Sequence, residues 1–402
     1  RYMRTPAQNP DGYAATELIS KVAQLQARPL LIHGLNDTNV HLQNTVNFIE
    51  ALEANDKLFD FTPLPNLSHS FRGDGLAAAL AASVDYFTAC FGAQDAASTA
   101  ADPLPSWNEG AAKTTILDFV AAVTDPAGPD YVPPAERIAV FDNDGTLWSE
   151  QPVYFQLQFA FDRVRELAPQ HPEWQTTEPF RSVLAGDQAG IAAAGEQGLV
   201  QIVAATHSGT SSDEFERIVA RWLDTARHPR FQRRYDELTF APMRELLVYL
   251  RANGFKTFIV SGGGIDFMRV FSQRAYGIPP EQVIGSRLRS RYEVRDGRPQ
   301  VVRTPEIGFI DDGPGKPVGI EEVIGRRPIL AVGNSDGDFE MLEYTTGAPG
   351  PRLGVIVHHD DGAREYAYDR ASPFGHLERA LDAAPGRGWL VVSMKDDWRT
   401  IY

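Results

Sequence analysis

Cysteine is nearly missing from this sequence: Cys90 is the single one in 402 residues. No intrachain disulfide can form and no cysteine-built metal centre is possible, so Cys90 reads as a small core residue at the end of a helix. Basic charge is also short. Lys and Arg number 38 against 53 Asp and Glu, a net charge of −15, which argues against nucleic acid or an anionic membrane as a partner. An anionic small molecule would need positive charge gathered locally. No apolar run approaches the roughly 18 residues of a membrane span, and no basic-then-apolar signal segment opens the chain. The first residue is Arg1, in what reads as the middle of a domain, so an upstream truncation is expected. Localisation stays open between cytoplasmic and, if a signal was lost, periplasmic or exported. No pattern speaks to oligomeric state.

What the chain does have is a series of short apolar runs that end in polar turns. The one that organises the rest is Arg137 to Trp148, RIAVFDNDGTLW. Ile138 to Phe141 read as a buried parallel strand, which runs directly into Asp142-Asn143-Asp144-Gly145-Thr146. Asp142 and Asp144, two apart, bring two carboxylates to one small volume. Their repulsion is relieved most cheaply by a hard divalent cation with oxygen ligands.

Further runs at Lys256 to Val260, Ile329 to Val332, Val355 to Val357 and Leu390 to Val392 give more short strands of the same α/β sheet. Between Trp148 and Lys256 lie about 100 residues of helical pattern. An insertion at that point is expected to lie over the site as a cap, at about 150–245.

The second strand ends in Ser261-Gly262-Gly263-Gly264, a hydroxyl and open backbone N–H groups suited to phosphate oxygens. Lys316 follows in a loop fixed by glycines and prolines, and the third strand ends in Gly333-Asn334-Ser335-Asp336-Gly337-Asp338. Taken singly these read as a flexible turn, a solvated lysine and an acidic loop. As an ordered set at successive strand ends of a parallel sheet they face one crevice.

That ordered set resembles the four motifs of the haloacid dehalogenase superfamily of phosphatases, in particular its phosphoserine phosphatase-like branch, over about residues 107–402. The resemblance implies a doubly wound parallel sheet with a helical cap inserted after the first strand. It implies an Mg²⁺-dependent phosphomonoester hydrolase acting on a small-molecule phosphoester. Asp142 would attack phosphorus to form an aspartyl-phosphate, and Asp144 would act as acid and then base. Thr146, Ser261 and Gly262 would bind phosphate, and Lys316 would neutralise charge. Asp142 and Asp144 would hold the metal with Asn334, Asp336 and Asp338, ranked in that order. Asn334 departs from the pattern, which has an aspartate there. A phosphotransferase of the same superfamily is the alternative. Trp148 and Glu150 lie just beyond the turn, where they meet an amine-bearing leaving group such as that of phosphoserine or phosphocholine, or else pack the cap and cap a helix.

Ahead of a small, polar linker at 93–106 lies a different segment. Leu30 to His33 is a strand leading to Gly34-Leu35-Asn36-Asp37, a helical spacing follows, and a second apolar stretch precedes Asn66-Leu67-Ser68-His69. Residues 1–92 resemble the C-terminal end of the dipeptidyl peptidase IV group of prolyl oligopeptidase-type serine peptidases, a partial α/β-hydrolase. The resemblance makes Asp37 and His69 the triad acid and base. No G-x-S-x-G serine precedes Asp37, so the pair reads as vestigial. A C-terminal peptidase fragment fused to a phosphatase-like domain is the other functional alternative.

Overall fold

A computed structural model describes residues 18–25, 27–65, 67–68, 78–84, 86–87 and 102–402. Cys90, His69 and residues 93–101 of the expected linker lie outside the described residues. Contacts divide the chain into two units, one up to Ala101 and one from Asp102 onwards.

In the first unit β1 (Leu30–Gly34) pairs in parallel with β2 (Asp60–Leu64), Leu30 opposite Asp60, and helix Leu42–Ala54 makes the crossover. A parallel pair needs such a crossover because a tight turn cannot return the chain to the same direction. Gly34 is required by close approach, since a Cβ there would come within 2.5 Å of the Leu67 carbonyl oxygen. Leu52 and Leu64 are buried, yet Leu58, Leu80 and Val84 are each more than half exposed.

The second unit is built on one sheet. Its strands are β3 (Ile138–Phe141), β4 (Lys256–Gly264), β5 (Val283–Arg295), β6 (Arg298–Phe309), β7 (Leu330–Gly333), β8 (Leu353–Asp360), β9 (Ala367–Tyr368) and β10 (Leu390–Ser393). The order is β10-β8-β7-β3-β4-β5-β6, parallel except that β5 and β6 form an antiparallel hairpin, and β9 pairs antiparallel with β8. All four residues of β3 are buried, which is how a central parallel strand covered on both faces reads in sequence. Alternate residues divide between two cores: Ala139 and Phe141 pack on one side with Leu246, Leu250 and Trp398, while Ile138 and Val140 pack on the other with Ile320, Leu342 and Ala380. The period-two pleat sends successive side chains to opposite faces, so one four-residue run serves both layers.

The segment between β3 and β4 is helical, as its periodicity predicts: Phe155–Leu167, Phe180–Ala185, Gln188–Ala193, Gly195–His207, Ser212–Thr225 and Ala241–Ala252. Helix Ser212–Thr225 shows why. Ser211 caps it by accepting the Glu214 N–H, Asp213 and Glu214 sit in its first turn, and Phe215, Val219, Trp222 and Leu223 form its buried stripe, a spacing that lines one helical face. The insertion also has its own small core of Phe161, Val164, Trp174, Phe180, Val183 and Ile202.

A hydrogen-bonded chain ties this insertion to the end of β4. The Gly264 N–H donates to Gln156 Oε1 (2.6 Å), Gln156 Nε2 donates to His207 Nε2 (3.2 Å), and His207 Nδ1 meets Thr206 Oγ1 (2.8 Å), which itself donates to the Ile202 carbonyl. The Thr206 proton is already committed, so Nδ1 carries the ring proton and Nε2 accepts. His207 is therefore neutral in the fold. Burial, reinforced by the nearby Arg303 charge, lowers its pKa from 6.5 to about 3.

The unfolded chain binds a proton at His207 below its ordinary pKa and the folded chain does not. Stability is unaffected above pH 6.5 and falls as the pH drops from there towards 3. Urea titrations at pH 6 and pH 5 should show His207→Gln losing about 1 kcal/mol less than the wild type across that interval. Equal losses would show that His207 carries no part of the acid sensitivity.

Candidate active site

The turn after β3 is wound tightly around one carbonyl. Asn143 O accepts the N–H groups of Thr146 (3.2 Å), Leu147 (2.8 Å) and Trp148 (3.3 Å), and Gly145, at φ 73°, donates back to Trp148 O. Gly145 is dictated twice over. Its backbone lies in the left-handed region, and a Cβ there would fall 2.1 Å from Asn334 Nδ2 and 2.4 Å from Glu150 Oε1. The turn therefore admits the end of β7 against itself, and this brings the distant motifs into one site.

Asp142, Asp144, Ser261, Gly262 and Lys316 line a single pocket. Lys316, buried in the first turn of helix Gly315–Ile324, donates to Asp142 Oδ1 at 2.8 Å and to Asp338 Oδ1 at 2.5 Å. Burial opposes its charge, but Asp142, Asp338 and Asp312 together raise its pKa and hold the ammonium protonated. One ammonium faces two carboxylates. Burial first, and then the Asp338 charge, push the Asp142 carboxyl well above the ordinary range against the pull of Lys316.

Asp144 is pushed up to about 6 by burial, although the Trp148 indole N–H donates to its Oδ1 at 2.8 Å. Its other oxygen faces β4: a Cβ added at Gly263 would lie 3.3 Å from Asp144 Oδ2. The Ser261 hydroxyl accepts the Gly263 N–H at 3.2 Å, and the strand register shifts between Ser261 and Gly264, which turns this run of glycines out of the ladder.

Other expected site residues are placed differently. The Thr146 hydroxyl is off the pocket wall and donates to Asn334 Oδ1 at 2.9 Å, while Asn334 Nδ2 donates to Glu150 Oε1 at 2.8 Å. These two bonds fix which way the Asn334 amide points. Asp336 turns out of the site, with its carboxylate accepting the N–H groups of Glu378, Arg379 and Ala380 at the start of helix Arg379–Arg387. Asp338 is saturated, with Oδ1 on Lys316 and Oδ2 on the N–H groups of Asn334 and Ser335. Trp148 is fully buried, stacked on Phe271 at 4.4 Å between centroids and tilted against Phe155. It does not line the pocket, and its indole N–H donates to Asp144 Oδ1. Glu150 does reach the pocket, but its Oε1 also accepts the Tyr368 hydroxyl (2.7 Å), and burial raises its pKa to about 8.

The structure adds residues that the sequence pattern does not single out. His359 Nε2 donates to the Gly145 carbonyl at 2.7 Å and its Nδ1 meets Glu365 at 3.2 Å, both side chains buried. Leu288, Arg303, Ile307 and Phe309 of the β5–β6 hairpin form an outer wall of the pocket. Asp296-Gly297 at the hairpin tip, with φ of 50° and 73°, is the two-residue turn that Asp-Gly favours and was the available signal.

In the first unit Asp37 Oδ1 accepts the N–H groups of Asn39 and Val40, both at 2.8 Å, a local turn of the kind aspartate forms readily. His33 lies nearby, with Nε2 3.9 Å from Asp37 Oδ2.

Residues 1–94 match the prolyl oligopeptidase family. Dipeptidyl aminopeptidase B of Saccharomyces cerevisiae is 42% identical over 74 residues, which is 18% of this chain and 9% of that protein. The chain thus spans under a tenth of that relative's length. Among solved structures, a conserved protein of unknown function from Anaerococcus prevotii aligns over 62% of this chain and 86% of its own, at 17% identity and TM-score 0.43. A phosphoserine phosphohydrolase-like protein from Francisella tularensis aligns over 62% and 98%, at 15% identity and TM-score 0.33. Residues 139–343, half of the sequence, match the haloacid dehalogenase-like hydrolases, and they include the strand, the Asp142 turn, Ser261, Lys316 and the Asn334 loop described above. The chain belongs to that family.

Proposed function

We propose that the second unit is an Mg²⁺-dependent phosphomonoester hydrolase that works through an aspartyl-phosphate. The observation that carries this reading is the meeting, in one pocket, of the Asp142 and Asp144 carboxylates with the Ser261-Gly262 turn and the Lys316 ammonium.

Mg²⁺ fits the donor set. Among the described residues no group of three or more His, Cys, Asp and Glu is placed to hold a metal, and a neutral oxygen lies beside the carboxylates. Asn334 Oδ1 supplies it, held by Thr146 and Glu150; Asp142 supplies the charge and Asp144 a further oxygen. All are hard oxygen donors, and Asp142 and Asp338 together carry more negative charge than Lys316 balances. Bound there, Mg²⁺ would neutralise charge on the phosphoryl oxygens.

The chain's own groups then divide the work. Asp142 attacks phosphorus through a carboxylate oxygen and the P–O bond to the leaving alcohol breaks. Asp144 gives its proton to that oxygen. A pKa of about 6 keeps a proton available near neutrality, where an ordinary aspartate would have lost it. Asp144, now a carboxylate, takes a proton from water as water attacks the acyl-phosphate, which restores Asp142 and releases phosphate. Ser261 and the Gly262 N–H hold phosphoryl oxygens, and Lys316 offsets the charge that builds on them.

Asp142→Asn should lower kcat on a chromogenic phosphate ester by about 10³-fold or more, and acid-quenched wild type should contain a hydroxylamine-sensitive phosphoenzyme that this variant lacks. Full-rate hydrolysis by the variant, or by the wild type in excess chelator, would refute the reading. Asn334→Asp replaces an N–H donor to Glu150 with a second carboxylate. The metal-free variant should be less stable by about 1–3 kcal/mol, and its melting temperature should rise more on adding Mg²⁺ than that of the wild type. An unchanged Mg²⁺ response would remove residue 334 from the metal site.

A further inference from the structure

The pocket carries its charge at the floor. Floor and outer part together form a cavity of about 320 Å³, in the range that takes a small-molecule ligand. Its outer walls are apolar: Leu157 and Val203 from the helical insertion, Phe267 after β4, and Leu288, Ile307 and Phe309 from the β5–β6 hairpin. Polar side chains reach the same walls, and five of them are engaged by the protein. Gln156 bridges the Gly264 N–H and His207, and His207 is neutral between Gln156 and Thr206. Arg303 donates to Asp266 Oδ2 at 2.7 Å and to the Ser211 carbonyl at 3.2 Å, with its guanidinium 4.5 Å above the Phe215 ring. Arg287 at the mouth lies over Phe309 and reaches Glu322. Glu150 accepts from Asn334 and Tyr368.

Two consequences follow for the leaving group. A cationic amine seated against the outer walls, beyond the carboxylates of the floor, would be desolvated by apolar side chains, which is costly. An apolar group would instead cover Leu, Val, Phe and Ile side chains and gain by its buried area. Ile307 and Ile310, which also line the pocket, stay 38% and 45% exposed, and exposed apolar surface at the rim of a cleft is a mark of a ligand site.

We propose that this site takes phosphate monoesters of apolar alcohols, aliphatic or aryl, in preference to phosphoserine or phosphocholine. This rests on the phosphohydrolase reading above for its chemistry, but the cavity wall can be tested without turnover. The probes are n-alkyl phosphates from ethyl to hexyl, phenyl phosphate, phosphoserine and phosphocholine, assayed with Mg²⁺ on the full chain. The same alkyl series as phosphonates, which the enzyme cannot hydrolyse, is titrated by calorimetry.

Each methylene over the first few carbons should raise kcat/KM about fourfold, and phosphonate affinity should rise in parallel. Hexyl and phenyl phosphate should exceed phosphoserine and phosphocholine at least about tenfold. Ile307→Ser, at an exposed strand position that accepts a polar residue, should shrink the hexyl-to-ethyl ratio several-fold for hydrolysis and for phosphonate binding alike. A higher kcat/KM for phosphoserine or phosphocholine, or a phosphonate series that is flat in chain length, would overturn the proposal. Length-dependent phosphonate binding without hydrolysis of any ester would uphold the apolar pocket and refute the phosphohydrolase reading alone.

Discussion

The site depends on a shortage of positive charge at its floor. Lys316 is one buried ammonium shared between Asp142 and Asp338, with Asp144 beside them. In a medium of low effective dielectric such an imbalance is felt strongly, and the surrounding structure can be read as a response to it. Asp338 is quieted by backbone N–H groups as well as by Lys316, and Asp144 is held by the Trp148 indole and its pKa is raised. Asp142 alone keeps a surplus, pushed upward by burial and by Asp338. On the proposed reading a cation and a phosphoryl group would each relieve that surplus at Asp142.

What made the fold legible in sequence was local. Ile138 to Phe141, Phe258 to Val260 and Ile329 to Val332 are continuous apolar runs ending in polar turns, as central parallel strands buried on both faces read. The order of those turns along the chain carried the site, since parallel strands bring their carboxyl ends to one edge. The hairpin at 283–309 was harder to see because its exposed strands alternate Arg, Ser and Glu with apolar residues, a pattern without a buried stripe, and its signal is a two-residue turn.

The side chains whose roles shifted share one physical reason. Thr146, Trp148 and Asp336 sit in or beside the motifs, but each also meets residues outside them, through a hydrogen bond or, for Trp148, through ring packing. Thr146 meets Asn334, 188 positions away. Asp336 meets the backbone of residues 378–380 and Trp148 meets the aromatic rings of Phe271 and Phe155. A motif fixes where a residue lies on the chain. Which of its neighbours uses up its hydrogen bonds is a tertiary fact, and for a group at a catalytic turn that fact decides between touching substrate and supporting the residue that does.

Charge at the floor and hydrocarbon at the walls are also parts of one design. An electrostatic site works best when water is kept away from the reacting atoms, since field strength falls as the local dielectric rises. The insertion after β3 and the β5–β6 hairpin supply apolar side chains to the outer pocket, and the hydrogen-bonded chain from Gly264 through Gln156 to His207 fixes the insertion to the strand end that carries Ser261. Each polar member of that chain satisfies another, so it joins the two layers without offering water a foothold. On the proposed phosphohydrolase reading, the wall that excludes water is also the surface a leaving group would cover, so a dry catalytic floor would constrain which alcohols fit above it.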